Sequence, residues 1–198
     1  MNIKEHNVKS KAYLVINPKS AIPVIITATH AQPPNSDKHT GEITESIAVE
    51  TGATALIAKV SRIYMDFNRL DLKDDPFKKK LKKIIEMKRK PVLILDIHGK
   101  KYGKVELGTA NGTTATQDVI GSVKNTMESN GMEVTIDEKF RASHNGTIIK
   151  SFGSPNDGIN AIQIEFPPEL RSKDKFKYTV KVMSSVISNV LMVLKIEK

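Results

Sequence analysis

The chain has 198 residues, no cysteine and a formal charge of +9, from 31 Lys and Arg against 22 Asp and Glu. This length fits one domain over residues 1–198, and the lack of cysteine excludes disulfides, thiolate nucleophiles and cysteine-held zinc. Because no apolar segment is long enough to span a membrane and no signal peptide precedes Pro18, we expect a cytoplasmic protein without a membrane partner.

Apolar runs alternate with amphipathic segments along the first half of the chain. Runs rich in Val, Ile and Leu predict strands over 21–31, 54–60 and 91–97. Between them, the sequence predicts a helix over about 42–50 and a lysine-rich helix entered through Pro76.

The second half continues the alternation. It predicts a helix over 113–131, strands over 132–137, 146–152 and 160–166, and a last helix over about 174–196. Strands alternating with helices predict an α/β fold, a three-layer αβα sandwich with a mostly parallel mixed sheet. The last helix has one apolar face, which fits packing on the sheet or against a second subunit, so the pattern leaves a homo-oligomer open.

The basic excess is concentrated in residues 73–90. There Phe77, Leu81 and Ile84 fit an amphipathic helix whose lysines form a solvated cationic face. No aromatic residues alternate with these lysines to stack on bases, so we do not expect a nucleic-acid partner. A basic field also attracts a small anionic substrate, which is the partner we expect.

Three apolar strands end in a histidine or an acid. His30 ends the first strand, His98 ends the run PVLILDI, and Glu165 follows AIQI, where alternation places Gln163 and Glu165 on one face. A single histidine can simply bond a backbone carbonyl, but a carboxylate at the end of a buried strand is costly unless it has a partner or a function. On a parallel sheet these ends share one edge, where ligands bind.

Two histidines and one carboxylate are the ligand set of hydrolytic zinc sites. Glu42, in the segment HTGEITE, completes such a set with His30 and His98, although the helix dipole also favours a carboxylate in a first turn. His39 is the alternative to His30, and Glu45 is the alternative to Glu42. We prefer His30 because it ends a buried strand.

Residues 61–69, SRIYMDFNR, contain two arginines. Arg62 and Arg69 present planar forks suited to carboxylates, and an arginine beside zinc can stabilise an oxyanion. Surface pairing with Asp66 or Asp71 is the simpler explanation of either arginine alone.

In their order along the chain, these features resemble the N-formylglutamate amidohydrolases and, behind them, zinc carboxypeptidase-like enzymes that include succinylglutamate desuccinylases and aspartoacylases. The resemblance covers roughly residues 24–166. It is carried by His30 after a strand, the acid in HTGEITE, Arg62 with DFNR at 66–69, DIHG at 96–99, ELGTANG at 106–112 and QIEF at 163–166.

The resemblance implies a zinc-carboxypeptidase (phosphorylase/hydrolase)-like fold. It also implies a Zn²⁺ cofactor held by His30, a glutamate and His98, with Glu165 as the general base. The chain departs from the carboxypeptidase-like pattern, in which the first histidine and the glutamate lie only a few residues apart. HTGE has that compact spacing, so His39 with Glu42 remains a competing pair.

On the substrate side, the resemblance implies that Arg62 polarises the scissile carbonyl. It implies that Asn68 and Arg69 bind a substrate carboxylate. It places four further residues along the pocket, namely Gly108, Thr109, Arg141 and His144.

The sequence therefore predicts a zinc-dependent amidohydrolase that acts on a small N-acyl amino acid or another carboxylate-bearing substrate, of the N-formylglutamate, γ-glutamyl or peptide kind. The rival hypothesis is a non-catalytic protein on the same fold that binds anions or nucleic acid through its basic face. A third is a relative that holds zinc but has lost its substrate pocket. Glu165 favours the enzyme, because phosphate binding gains nothing from an acid beside the metal.

Overall fold

The computed structural model describes residues 8–9, 11–17, 19–20, 22–71, 75–88 and 92–196. Within these ranges the chain forms one eight-stranded sheet. Its strands are β1 (Val8–Lys9), β2 (Tyr13–Ile16), β3 (Val24–Ala28), β4 (Thr54–Ala58), β5 (Val92–Gly99), β6 (Val105–Gly108), β7 (Val134–Ile136) and β8 (Ile159–Phe166).

The spatial order of the strands is β1-β2-β4-β3-β5-β8-β6-β7. The pairs β4–β3, β3–β5, β5–β8 and β6–β7 are parallel, whereas β1–β2, β2–β4 and β8–β6 are antiparallel. Almost every residue of the central strands β3, β5 and β8 is buried, as expected for parallel strands covered on both faces. The predicted mixed sheet, mostly parallel at its centre, is confirmed.

Helices cover both faces of the sheet. They are α1 (Thr40–Thr51), α2 (Pro76–Met87), α3 (Gln117–Ser129), α4 (Ile148–Phe152) and α5 (Phe176–Val193). Apolar residues of α1, α3 and α5 share one core with one face of the sheet, and those of α2 and α4 share a second core with the other. The predicted three-layer αβα sandwich is therefore confirmed.

The apolar face predicted for the last helix is covered within the chain. Val180, Met183 and Val190 of α5 are buried against the sheet layer and its neighbouring helices. None of the helices in the described ranges has the length and apolar content needed to cross a membrane.

The structure differs from the sequence prediction in four elements. Residues 146–152, predicted as a strand, form the short helix α4, because Thr147 Oγ1 accepts from Lys150 N and Asn68 Oδ1 accepts from Ile148 N. Strands β1, β2 and β6 were not predicted, since they are only two, four and four residues long. Some residues at the ends of the predicted segments lie outside the described residues, namely 21, 73–74 and 89–91. Residue 18 also lies outside them.

Candidate metal and substrate site

The carboxyl ends of the central strands bring the candidate residues together. In the parallel ladder of β5 with β8, His98 lies directly opposite Glu165. His30 follows β3, which flanks β5 on its other side. His30, His98 and Glu165 therefore lie at the sheet edge to which the sequence analysis assigned them.

His30, Asp37 and His98 form a compact group of possible metal ligands. One ligand atom from each lies within 4.8 Å of the others. The Nδ1 atoms of His30 and of His98 are each 3.4 Å from Asp37 Oδ2, and the two rings meet edge to face with centroids 4.8 Å apart. All three side chains are buried.

A further carboxylate holds the other nitrogen of each histidine. His30 Nε2 is 2.8 Å from Asp66 Oδ1, and His98 Nε2 is 2.8 Å from Asp96 Oδ2. Asp96 is fixed in turn by Thr27, whose hydroxyl donates to Oδ1 at 2.6 Å. Because a carboxylate accepts, a proton on Nε2 satisfies each pair, and Nδ1 is then the nitrogen that would face a metal. The donor set therefore fits a zinc ion.

The structure places Asp37, and not the predicted Glu42, beside His30 and His98. The Glu42 side chain is 63% exposed in the first turn of α1 and lies 3.7 Å from His39 Nδ1; Glu45 is also exposed. Asp37 is held over the strand ends because its backbone N–H donates to His30 O at 2.8 Å and its Oδ2 accepts from Gly99 N at 3.1 Å.

Sequence reasoning missed Asp37 because it lies in a polar loop without periodicity. The only available signal was an acid within a few residues of a histidine that ends a strand. Asp66 and Asp96 were visible in the DFNR and DIHG motifs, but their contacts with the histidines depend on which strands become neighbours.

The buried charges shift one another's pKa values. Burial alone would raise the pKa of Asp37, but hydrogen bonds and charge from His30 and His98 outweigh it and hold the pKa far below its usual range. Burial would lower the pKa of His98, yet Asp96 and Asp37 raise it well above its ordinary value. Burial is the main cause of a raised pKa at Glu165.

Glu165 is almost enclosed and has one polar contact from the neighbouring side chain. Its Oε1 accepts from Gln163 Nε2 at 3.0 Å, which confirms that both residues lie on one face of β8. A buried carboxylate with a raised pKa can accept and release a proton during catalysis.

Arg62 lies directly beside the metal-ligand group. Its Nη1 donates to His30 Nδ1 at 3.1 Å, and its Nη2 donates to Asp37 Oδ1 at 3.2 Å. Its Nε donates to Asn35 O at 2.7 Å, which orients the guanidinium. Arginine only donates, so the contact with His30 agrees with an unprotonated Nδ1.

These groups open into a cleft of about 1280 Å³. Arg69, Arg141 and His144 line it, together with Asn68. Asn68 also has a structural contact, since its Oδ1 accepts from Ile148 N at 3.0 Å. His144 Nδ1 accepts from Gly146 N at 3.0 Å, which leaves Nε2 as its donor.

Gly108 and Thr109 are not among the residues that line this cleft, so the prediction for them is corrected. A Cβ at Gly108 would come within 2.4 Å of Phe140 O, and Thr109 N donates to Asp137 Oδ1 at 2.8 Å. Both residues therefore pack behind the loop that carries Arg141 and support it.

The cleft lining is strongly basic. Nine Lys and Arg face it against five Asp and Glu, so the cleft favours an anionic ligand. The nine are Lys38, Arg62, Arg69, Lys100, Lys101, Lys104, Lys139, Arg141 and Arg171.

The family model of N-formylglutamate amidohydrolase matches residues 74–170 of the chain. This range contains DIHG and QIEF, two of the motifs that carry the resemblance described above, and the resemblance is thereby confirmed. No curated protein matches the sequence.

Solved structures of similar fold cover nearly all of the chain. The N-formylglutamate amidohydrolase of Ralstonia eutropha JMP134 superimposes with a TM-score of 0.76 at 15% identity, over 94% of this chain and 99% of that one. A bacteriophage poly-gamma-glutamate hydrolase gives a TM-score of 0.64 at 15% identity, over 94% and 93%. A metallo-carboxypeptidase from Pseudomonas aeruginosa gives 0.58 at 14% identity, over 92% of this chain and 60% of that one. The predicted carboxypeptidase-like fold is thus confirmed.

Proposed function

We propose that this chain is a zinc-dependent amidohydrolase that cleaves the amide bond of a small N-acyl amino acid or a related carboxylate-bearing substrate, of the N-formylglutamate, γ-glutamyl or peptide kind. The observation that carries the proposal is the convergence of two histidines and an aspartate beside a buried glutamate in a basic cleft. The family match over residues 74–170 supports it, as do the named activities of the amidohydrolase, poly-gamma-glutamate hydrolase and metallo-carboxypeptidase of similar fold.

His30, Asp37 and His98 would hold the zinc ion through Nδ1, a carboxylate oxygen and Nδ1. When bound, zinc supplies a Lewis acid that lowers the pKa of water and polarises a carbonyl group. Asp66 and Asp96 keep both imidazoles oriented and in the tautomer that presents Nδ1.

Glu165 carries the proton in this proposal. Its carboxylate accepts a proton from the attacking water and then donates it to the nitrogen of the leaving amine, so that the C–N bond breaks as a neutral amine departs. Its raised pKa makes the protonated form accessible for the second step.

The arginines bind the substrate at both ends of the scissile amide. Arg62 donates hydrogen bonds to the carbonyl oxygen as that oxygen gains negative charge. Arg69 and Arg141, which are exposed in the cleft, pair with the substrate carboxylate. Asn68, which also lines the cleft, orients the substrate.

The test begins with zinc affinity and metal content of protein purified without added metal, beside a His98→Ala variant. We expect stoichiometric zinc in the wild type, little in the variant, and amine release from N-formylglutamate or another N-acyl amino acid only by the zinc-loaded wild type. No zinc uptake, together with salt-sensitive binding of oligonucleotides, would reject the hydrolase and favour the basic binding protein. Zinc uptake without turnover across the substrate panel would favour the relative that has lost its pocket.

A further inference from the structure

Arg171 makes an unusual set of contacts beneath the candidate site. It ends a short 3-10 helix over Pro168–Arg171, and only 7% of its surface is exposed. Its Nε donates to Phe166 O at 3.0 Å, its Nη2 donates to Lys100 O at 3.1 Å, and its Nη1 donates to Lys38 O. One guanidinium therefore joins three backbone carbonyls that are far apart in the sequence.

Each carbonyl belongs to a segment that carries a residue of the candidate site. Lys38 follows Asp37, Phe166 follows Glu165, and Lys100 lies two residues after His98. Arg171 thus links the loop after β3, the end of β5 and the end of β8. No other described side chain bonds to all three segments.

Gly99 makes room for this contact. A Cβ on Gly99 would lie 2.6 Å from Arg171 Cζ and 2.8 Å from its Nε. The glycine of the DIHG motif therefore allows the guanidinium to lie against the β5 backbone, directly beside His98. This close approach is independent of the hydrogen bonds and supports the same arrangement.

The positive charge of Arg171 has no ion-pair partner within 4 Å in the described part of the chain. Asp37, Glu165 and Glu169 nevertheless interact with it electrostatically. One cation that interacts with both carboxylates offsets part of their mutual repulsion, which is stronger between buried charges than in water.

We infer that Arg171 is a positioning residue: it clamps the three strand-end segments so that Asp37, His98 and Glu165 keep the geometry needed to bind the metal and move the proton. The inference rests on the proposed function for its chemical consequence, but the clamp itself is a property of the protein alone. Lysine cannot replace it, because a single ammonium lacks the planar fork that reaches three carbonyls.

The experiment compares Arg171→Gln, Arg171→Lys and Gly99→Ala with Lys173→Gln. Lys173 is exposed two residues further along the chain, so its variant removes the same charge without touching the clamp. Cobalt(II) absorption spectra and zinc affinity from chelator competition are recorded for each protein. We expect about 10- to 100-fold weaker binding and an altered cobalt spectrum in Arg171→Gln and Gly99→Ala, an intermediate loss in Arg171→Lys, and no change in Lys173→Gln.

Amide hydrogen exchange of the metal-free proteins tests the clamp independently of any metal. The reporter amides are Asp37, Gly99 and Lys100, whose N–H groups donate to His30 O, Asp37 Oδ2 and Phe166 O. We expect all three to exchange faster in Arg171→Gln while central amides of β3 and β5 keep their protection.

A wild type that takes up no metal would reject the proposed function, whereas the exchange data would still decide the clamp. Unchanged reporter amides in Arg171→Gln would overturn the inference. So would a lower melting temperature accompanied by the wild-type cobalt spectrum and zinc affinity, because that result assigns Arg171 a role in stability alone.

Discussion

The sequence prediction and the structure differ at the third candidate metal ligand, which is Glu42 in the first and Asp37 in the second. The two acids are only five positions apart. Asp37 is buried between both histidines, whereas Glu42 is exposed beside His39. We expect Asp37→Ala to weaken zinc binding by more than about 100-fold, because loss of a direct ligand exceeds the 10- to 100-fold typical of a supporting residue. Competition with a chelator measures the zinc affinity of the variant and of the wild type.

Glu42→Ala is the matched control for that substitution, as it removes an acid from the same segment. Its zinc affinity should equal that of the wild type. If instead Glu42→Ala lost zinc and Asp37→Ala kept it, the ligand set read from the structure would be wrong and the original sequence prediction would stand.

Glu165→Gln separates metal binding from proton transfer. Gln is isosteric and can still accept from Gln163, but it cannot take a proton from water. We expect hydrolysis to fall by about 10²- to 10⁴-fold while zinc content stays unchanged. Steady-state kinetics and metal analysis on one preparation check both. Equal loss of zinc and of activity would make Glu165 a ligand instead of a base.

The same variant should be more stable than the wild type at pH 7. Burial raises the pKa of Glu165 above its ordinary value, so its charged form destabilises the fold at any pH above that raised pKa. The stability deficit of the wild type should shrink as the pH falls through the raised pKa toward the unfolded-state value. Thermal melts of both proteins between pH 4 and 8 measure the difference, and a less stable variant at pH 7 would contradict the prediction.

At the scale of elements, the parts predictable from sequence were those specified by local pattern. Apolar runs identified β3, β4, β5 and β8, because buried parallel strands need continuous Val, Ile and Leu. The same rule misassigned residues 146–152. Ile148 and Ile149 have strand-like side chains, yet Thr147 and Asn68 cap a short helix there. The Asn68 contact comes from a distant loop, so that part of the cap leaves no local signal.

The candidate site likewise divides into residues that local sequence pattern predicts and residues that tertiary contacts place. The strand-end residues His30, His98 and Glu165 could be predicted because strand direction alone places them at one edge. Asp37 and Arg171 could not, since their positions depend on a loop and a 3-10 helix that fold back over that edge. Tertiary hydrogen bonds hold them there, and no periodic pattern in the sequence predicts those bonds.

Helix α2 supports two loops of the cleft through one buried lysine, although its residues do not line the cleft. Lys78 and Asp75 are fully buried, and Lys78 Nζ donates to Leu70 O and Gly146 O, which joins the loop of Arg69 to the loop of His144. Lys78→Met would leave both carbonyls unpaired and Asp75 without its cation. We expect a loss of about 3–5 kcal/mol in the free energy of unfolding.

Lys79→Met is the control for this prediction, because Lys79 is the exposed neighbour on the same helix. Its effect should stay within about 0.5 kcal/mol. Urea denaturation of the two variants and the wild type provides the comparison. A loss for Lys78→Met no larger than that of the control would show that the buried pair adds nothing to the fold.

At the scale of the whole molecule, two separate groups of basic residues bear on substrate attraction. One lines the cleft, and the other lies on the exposed side of α2, whose residues do not line it. The first group borders the cleft in which the proposed substrate binds, and its charges act at short range, whereas exposed charges farther away than the Debye length of about 8 Å at physiological ionic strength are largely screened. The position of the basic residues relative to the cleft, and not the net charge of the protein alone, therefore determines how strongly an anionic substrate is attracted.

This distinction predicts the salt dependence of catalysis. For an anionic N-acyl amino acid, kcat/KM should fall severalfold between about 20 and 200 mM salt while kcat changes little, since screening weakens capture of the anion and leaves the chemical step unaffected. Replacing Lys101 and Lys139 by Gln should flatten that dependence. Replacing Lys79 and Lys83, which lowers the net charge equally, should not. An uncharged amide analogue of the substrate that showed the same salt dependence would contradict the argument, because a neutral molecule gains nothing from the field of the cleft.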